Sequence, residues 1–195
     1  TTLELEKTNF SPITRKRFRV DEFRKMVEVG ILPEEHGWEV VDGYLIDKMS
    51  IGDKHASTVK RLNRIFNLRF SENLLVSVQD PIHLDEYNEP EPDIALLKFR
   101  DDCYLGKTPT PTDVLLLIEV SDTTIGYDRE VKKILYAESE IQEFWIVNLK
   151  DNTIEIYSSP KNGKYRLARI VEPGETITAS SIENLTLQVD EILGL

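Results

Sequence analysis

Cysteine, long apolar runs and basic residues are all scarce in this chain of 195 residues. The single cysteine, Cys103, excludes an intramolecular disulfide and the paired cysteines of a zinc knuckle or ribbon. No apolar run reaches the roughly 18 residues of a membrane-spanning helix, and residues 1–18 lack the apolar core and cleavage site of a signal peptide. We therefore expect a protein of the reducing cytoplasm that spans no membrane.

The charge balance is acidic. Lys and Arg number 24 against 35 Asp and Glu, so the formal net charge is −11. Proteins that coat nucleic acid by releasing counterions are normally basic, and the overall charge argues against that class. The negative net charge is still compatible with an enzyme that needs only a local basic surface beside an acidic metal site. The content of 40% hydrophobic and 30% charged residues is typical of a folded chain, and the length favours one domain.

Helical periodicity is confined to a few segments. Residues 1–19 show none and are predicted to form an N-terminal arm. Apolar residues recur at helical spacing in residues 21–29, 53–70 and 127–138. Asp42-Gly43 lies between two strand-like runs, which predicts a β-hairpin over residues 38–48.

Short runs rich in branched residues predict a larger sheet. Those after the hairpin are residues 75–78, 94–97, 114–120, 144–148, 153–157, 164–171, 175–178 and 185–189. Val114–Ile118 is apolar without alternation, which indicates a central strand covered on both faces. No linker or repeat separates the segments. Residues 20–195 are therefore expected to form a single α/β domain with a β-rich C-terminal extension.

Two acidic residues lie at the ends of predicted buried strands. Asp93 follows Pro92 and directly precedes the apolar Ile94–Leu97, and Glu119 ends the Val114–Ile118 run. A buried carboxylate without a partner is energetically expensive, so these positions are candidates for a functional site. The alternative is that each acid meets solvent at a strand end or pairs with a basic residue.

A lysine of the predicted helix over 127–138 lies beside its buried face. The apolar residues that define this face are Val131, Ile134 and Leu135. Lys132 falls about 105° from its centre and Lys133 about 155°, at 100° per residue. Lys132 is thus predicted to border the core, whereas Lys133 points to solvent. The alternative role of Lys132 is an i, i+4 ion pair with Asp128.

These motifs together resemble the Uma-two family of bacterial proteins classed as restriction endonucleases. Five elements carry the resemblance, in the order Trp38–Gly43 with His55, Glu91–Leu97, Leu117–Ser121, Tyr127–Ala137 and Glu143–Val147. The resemblance covers residues 20–190. It implies a restriction-endonuclease-like fold, in which helices flank a mixed central sheet.

The resemblance also implies a PD-(D/E)XK site. Asp93 matches the aspartate of the PD motif and Glu119 the acidic residue of the second motif. Ser121 stands where the motif lysine is expected, which is a departure from the usual pattern. Similar proteins supply that lysine from the following helix, and Lys132 matches this position. The implied cofactor is Mg²⁺ or Mn²⁺, because both prefer the hard oxygen ligands that two carboxylates supply.

Supporting roles are expected for Glu39, His55, Gln79 and Asp128. Glu39 matches the extra acid that many members of the superfamily draw from near the N-terminus, although a solvent-facing strand position is equally open to it. His55 shares a helix face with apolar residues, which also fits a hydrogen-bonded core histidine. Gln79 lies beside a predicted strand, where it can bridge a ligand or water.

The expected partner is nucleic acid, with DNA preferred. Lys60, Arg61 and Arg64 lie on the polar face of the long predicted helix and form a candidate binding surface, the alternative being an ordinary solvated face. The function implied is a Mg²⁺-dependent endonuclease. Two alternatives stay open, a non-catalytic module that binds nucleic acid or protein and a metal enzyme acting on a small phosphate ester. Folds of this kind often pair, so a homodimer is also open.

Overall fold

The computed structural model describes residues 16–33, 37–48 and 52–195. Its helices are α1 (Val20–Glu28), α2 (Asp53–Phe70), α3 (Ile125–Tyr127), a π turn (Asp128–Lys132), α4 (Lys133–Glu138) and α5 (Val189–Leu193). Its strands are β1 (Trp38–Val41), β2 (Tyr44–Asp47), β3 (Leu74–Ser77), β4 (Ile94–Lys98), β5 (Val114–Ser121), β6 (Glu143–Asn148), β7 (Thr153–Lys161), β8 (Lys164–Val171), β9 (Thr176–Thr178) and β10 (Thr186–Gln188). Most of the predicted N-terminal arm, residues 1–15, lies outside the described residues.

A six-stranded mixed sheet forms the centre of the fold, in the order β3-β4-β5-β6-β7-β8. Only β5 and β6 run parallel, and the other neighbours are antiparallel. Strand β4 pairs with β5 through Ile94 and Ile118. Because these strands are antiparallel, the start of β4 and the end of β5 meet at one end of the sheet. Asp93 and Glu119 therefore come together.

Helices cover both faces of the sheet. Val59, Leu62 and Phe66 of α2 pack in one core cluster with the alternate residues Leu96 and Leu116 of the sheet. The second cluster combines α4 with the opposite face, where Leu135 and Tyr136 meet Ala95, Leu117 and Phe144. The predicted α/β architecture, a mixed sheet flanked by helices, is confirmed. None of the described helices has the length and apolar character needed to cross a membrane.

The predicted hairpin forms a separate two-stranded sheet of β1 and β2. Its turn places Asp42 and Gly43 at φ 52° and 73°, the left-handed conformation that suits this dipeptide. Val40 bridges to Glu89 in the loop before β4. The backbone N–H of Glu91 donates to Glu39 at 3.1 Å. The hairpin is thereby joined to the segment that leads into Asp93.

The β-rich C-terminal extension comprises β9, β10 and α5. Its apolar residues join the core cluster of α2, and Glu143, which is fully buried in β6, helps to attach it. One Glu143 oxygen accepts the backbone N–H of Ser180 at 2.7 Å and that of Ser181 at 2.8 Å, while the other accepts Trp145 Nε1 at 2.7 Å. A carboxylate with this many donors needs no cation, because charge-assisted hydrogen bonds compensate its burial.

Candidate active site

Asp93 lies directly before β4 and accepts three hydrogen bonds. Its Oδ2 accepts His55 Nε2 and the backbone N–H of Val120, each at 2.9 Å, and its Oδ1 accepts Gln79 Nε2 at 3.1 Å. Burial raises the pKa of Asp93, but the hydrogen bond and charge of His55 and the Val120 N–H outweigh it, so the pKa is lowered overall. Asp93 is therefore held as a carboxylate.

His55 lies in the first turn of α2 and points toward Asp93. Burial lowers the pKa of His55, but its hydrogen bond to Asp93 and the nearby acidic charges outweigh this effect and raise it. Its Nδ1 is buried and has no hydrogen-bond partner among the described residues. His55 is thus a hydrogen-bonded histidine, as the alternative of a core histidine predicts, and its partner is Asp93, the candidate aspartate of the PD motif.

Gln79 adopts a left-handed backbone conformation at φ 56°. Such a conformation is uncommon for a residue with a long side chain and is concentrated at functional sites. Here its backbone N–H donates to the Asp93 carbonyl at 3.3 Å, and its side chain reaches the Asp93 carboxylate. The unusual conformation lets one residue contact Asp93 twice.

Glu119 is enclosed near the end of β5. Its Oε1 accepts Lys132 Nζ and the Tyr136 hydroxyl, both at 2.8 Å, and its Oε2 accepts a longer bond of 3.4 Å from the Asp93 N–H. Burial raises the pKa of Glu119 to about 8, with the charge of Asp93 acting in the same direction and Lys132 opposing it. Taking up or losing a proton at this carboxyl is therefore possible near neutral pH.

Lys132 lies between two carboxylates and is only 3% exposed. Its Nζ is 2.8 Å from Glu119 Oε1 and 3.3 Å from Glu39 Oε2. Burial lowers the pKa of Lys132, but the charges of Glu119 and Glu39 outweigh burial and raise it well above its usual value. The helical projection placed Lys132 at the edge of the core, and the structure puts it inside. Lys133 instead stacks over the Tyr157 ring at 5.0 Å.

Glu39 enters the site from β1 and is 1% exposed, so it is not a solvent-facing strand residue. Besides Lys132 and the Glu91 N–H, it accepts the Tyr127 hydroxyl at 3.0 Å. The third acid therefore reaches the same ammonium as Glu119. It is supplied by the hairpin, which is far away along the chain.

Asp128 supports the site from the π turn. Its Oδ2 accepts the hydroxyls of Ser121 and of Thr124, the latter at 2.9 Å. Burial raises the pKa of Asp128, and Lys132 and the two hydroxyls oppose this. Within the part of the chain that is described, no Asp128–Lys132 ion pair forms. The i, i+4 alternative does not describe this lysine.

The donor chemistry suits a hard divalent cation. Asp93 Oδ1 accepts only the neutral Gln79 amide and Glu119 Oε2 only the backbone N–H of Asp93 in the hydrogen bonds of the described residues, and Mg²⁺ and Mn²⁺ prefer such carboxylate oxygens. No group of three or more His, Cys, Asp or Glu side chains among the described residues is already arranged around one ion position. The Lys132 ammonium lies between Glu119 and Glu39 instead.

The basic residues predicted on α2 differ in their surroundings. Lys60 and Arg64 are exposed and form no ion pair within the described ranges. Arg61 donates to the Ile192 carbonyl of α5 at 2.9 Å, and its guanidinium lies against Gly194. Lys60 and Arg64 are thus free to meet a partner, whereas Arg61 attaches the C-terminal helix.

Sequence analysis did not single out Tyr127 and Tyr136 as site residues. Both donate their hydroxyls to site carboxylates, Tyr127 to Glu39 and Tyr136 to Glu119. The i, i+4 spacing from Lys132 to Tyr136 was a usable signal, because residues at that spacing share a helix face. Tyr127 lies five residues before Lys132, and residues at that spacing do not share a face of a regular α-helix, so the sequence carried no signal for its contact with the site.

The chain is similar to a solved structure in its fold and to a family model in its sequence. A solved structure titled "Crystal structure of a putative nuclease belonging to DUF820 from Anabaena variabilis ATCC 29413" superposes with a TM-score of 0.68 at 16% sequence identity, over 91% of this chain and 98% of that one. At that identity the likeness shows a shared fold. No curated protein matches significantly. The model of the Uma2 family, described as "Putative restriction endonuclease", matches residues 20–190, so the chain belongs to the Uma2 family.

Proposed function

We propose that this protein is a nuclease of the PD-(D/E)XK type that hydrolyses phosphodiester bonds of nucleic acid with the help of a divalent metal ion. The observation that carries the proposal is the buried Lys132 between Glu119 and Glu39, with Asp93 joined to Glu119 through its backbone N–H. Burying one cation with several carboxylates is costly and seldom improves stability. Perturbed ionisable groups of this kind cluster at functional sites.

Asp93 and Glu119 would hold the metal, which we propose to be Mg²⁺ or Mn²⁺. When bound, such an ion supplies Lewis-acid stabilisation of phosphoryl oxygens and lowers the pKa of a water molecule. His55 and Gln79 fix the Asp93 carboxylate from two sides, so that its orientation is set before substrate arrives. Glu39 is the supporting acid that keeps Lys132 at Glu119.

Lys132 would act on the phosphate rather than on the metal. A compact ammonium in a site closed to water stabilises developing negative charge on a phosphoryl oxygen, and its N–H groups orient an attacking water. Its pKa, raised by Glu119 and Glu39, keeps it positively charged for this task. Tyr136 shares the Glu119 oxygen and limits the movement of both partners.

We propose DNA as the substrate and the exposed Lys60 and Arg64 of α2 as part of its binding surface. The overall acidity of the chain requires such a local basic surface, because phosphate contacts depend on nearby cations. We further propose a cytoplasmic protein, in keeping with the lone Cys103. A homodimer would let two such sites act on the two strands of one duplex.

A second candidate is a non-catalytic module that keeps the fold and binds nucleic acid or protein. The favouring observation is that Lys132 already pairs with Glu119 and Glu39, so part of the negative charge of the described site is compensated without metal. A folded scaffold of this kind needs no turnover.

Cleavage of labelled nucleic acids distinguishes the two. Single- and double-stranded DNA and RNA are incubated with Mg²⁺, Mn²⁺ or EDTA, using the wild type, Asp93→Asn and the control Glu130→Ala, whose side chain is exposed on the helix. We expect cleavage with metal by the wild type and the control, and none with EDTA or with Asp93→Asn. Cleavage that survives EDTA would refute the metal requirement, and the absence of cleavage on every substrate would favour the second candidate.

A further inference from the structure

The helical segment that carries Lys132 contains a single turn that is one residue longer than an α-helical turn. The backbone N–H of Lys133 donates to the carbonyl of Asp128, an i→i+5 bond, and residues 128–132 form a π turn. Before it, the Asp128 N–H donates to Thr124 at the ordinary i→i+4 spacing, and after it Ser139 donates to Leu135 likewise. A single π turn within an α-helical segment is frequently found at a functional site.

The π turn changes which side chains share a helix face. In a regular α-helix, residues five apart are separated by about 140°, so Tyr127 and Lys132 would point in different directions. Here both reach the same carboxylate. The Tyr127 hydroxyl is 3.0 Å from Glu39 Oε1, and Lys132 Nζ is 3.3 Å from Glu39 Oε2. The ammonium also lies 5.8 Å from the centre of the Tyr127 ring.

Beyond the π turn, ordinary α-helical spacing takes over. Tyr136 follows Lys132 by four residues, and both donate to Glu119 Oε1 at 2.8 Å. The two halves of the segment thus serve different carboxylates, the first half Glu39 of the hairpin and the second half Glu119 of β5. Because Tyr127 lies five residues before Lys132, the π turn is what allows both halves to contact their carboxylates at once.

Asp128 explains why the first half cannot simply rotate. Its carboxylate accepts hydroxyls from Ser121, at the end of β5, and Thr124. At the other end, Leu135 and Tyr136 are buried in the core cluster on the sheet. Both halves are therefore anchored, and the extra residue absorbs the difference in their orientation.

We propose that the π turn at Asp128–Lys132 is the positioning device of this site, and that Tyr127 is a positioning residue that brings Glu39 to Lys132. The catalytic consequence rests on the proposed nuclease function, whereas the geometric claim does not. In a regular α-helix of the same sequence, Tyr127 and Lys132 would point about 140° apart, and the helix would serve Glu119 or Glu39 but not both. Lys132 would then lose one of its two carboxylates.

Inserting an alanine after Glu130 tests the device, with Glu130→Ala as the matched control. Glu130 is exposed, so the substitution removes its side chain and keeps the π turn, whereas the insertion puts Tyr127 and Lys132 six residues apart, a spacing that one π turn cannot align. We expect turnover to fall about 10²-fold in the insertion variant, the cost of displacing a reacting group by roughly 1 Å, and to stay at the wild-type value in Glu130→Ala.

A chemical measurement follows Lys132 without relying on activity. Labelling with an amine-reactive reagent, with mass spectrometry of the modified lysines, should find Lys132 protected in the wild type and in Glu130→Ala, since it is buried and ion-paired. We expect it to be labelled in the insertion variant. The neighbouring Lys133 serves as the internal reference for access to the reagent.

Tyr127→Phe tests the device without altering the helix length, should the insertion prevent folding. Removing the hydroxyl releases Glu39 and with it Lys132, so we expect turnover to fall about 10-fold while the KM for substrate changes less, and Lys132 to become accessible to the amine-reactive reagent. The control Tyr157→Phe loses a hydroxyl that donates to Glu155, away from the site, and should match the wild type.

The outcomes separate this proposal from the proposed function. An insertion variant in which Lys132 stays protected, or a Tyr127→Phe variant with wild-type turnover in an active enzyme, overturns the positioning role. A wild type that cleaves nothing and binds no Mn²⁺ refutes the nuclease instead. In that case the labelling of Lys132 still decides whether the π turn positions the lysine, in the insertion variant or, if that variant does not fold, in Tyr127→Phe.

Discussion

Replacing Lys132 by methionine removes the ammonium from between Glu119 and Glu39 while keeping most of the volume of the side chain. Breaking a buried ion pair by deleting one partner costs about 3–5 kcal/mol, because it leaves an uncompensated charge. Glu119 can reduce this cost by taking up a proton. Its pKa is raised to about 8 even with Lys132 present, and removing the lysine should raise it further.

The destabilisation should therefore grow with pH. A carboxyl whose pKa is higher in the folded state than in the unfolded chain contributes stability below the unfolded value of 4.5, and this contribution is lost as the pH rises through the folded value. Because Glu119 of the wild type already has a pKa of about 8, both proteins lose stability in parallel up to that pH, and the loss in Lys132→Met relative to wild type should increase by about 1.4 kcal/mol per pH unit only above pH 8. Below pH 8 the difference in the free energy of unfolding between the two proteins should stay constant.

Urea unfolding at pH 6.5, 8 and 9.5 measures this change, with Lys133→Met as the matched control. Lys133 stacks on the Tyr157 ring and touches no site carboxylate, so its variant should show no such pH dependence. In the cleavage assay Lys132→Ala and Lys132→Arg should lose turnover far more than substrate binding, since guanidinium lacks the compact geometry of the amine, and Lys133→Ala should stay active. Equal loss of stability from both methionine variants at every pH would refute the reasoning.

Three further outcomes follow from the geometry. Metal affinity should rise about tenfold per pH unit from pH 6 toward pH 8, because Glu119, with its pKa of about 8, must release a proton to bind the ion. Calorimetry in buffers of different ionisation enthalpy counts the released proton. A metal affinity that does not change with pH contradicts this prediction. Replacing Lys60 and Arg64 by alanine should weaken DNA binding, and fluorescence anisotropy should show that the slope of the logarithm of the binding constant against the logarithm of the salt concentration falls by about 2. The Arg61→Ala variant should mainly lower the midpoint of unfolding. An unchanged slope places the binding surface elsewhere. Asp128→Ala should cost about 1–3 kcal/mol in urea unfolding because it leaves hydroxyl donors unpaired, and Asp128→Asn only a few tenths; equal losses would rule out this role.

Much of the fold was determined by local signals in the sequence. Asp42-Gly43 specifies its hairpin because both residues tolerate a positive φ. The unbroken apolar run of β5 and the helical stripe of α2 specify which surfaces are buried, since burial follows from periodicity alone. The meeting of Asp93 and Glu119 needed only that their strands be adjacent and antiparallel.

The tertiary structure alone decided the rest of the site. Helical arithmetic at 100° per residue put Lys132 at the rim of the core, and the π turn, which depends on anchors at both ends of the segment, turned it inward between Glu119 and Glu39. Glu39 comes from a hairpin whose position is set by contacts with the loop before β4. Arg61 shares the polar face of α2 with Lys60 but is attached to α5, more than a hundred residues away. Such partners are non-local, and no pattern of neighbouring residues specifies them.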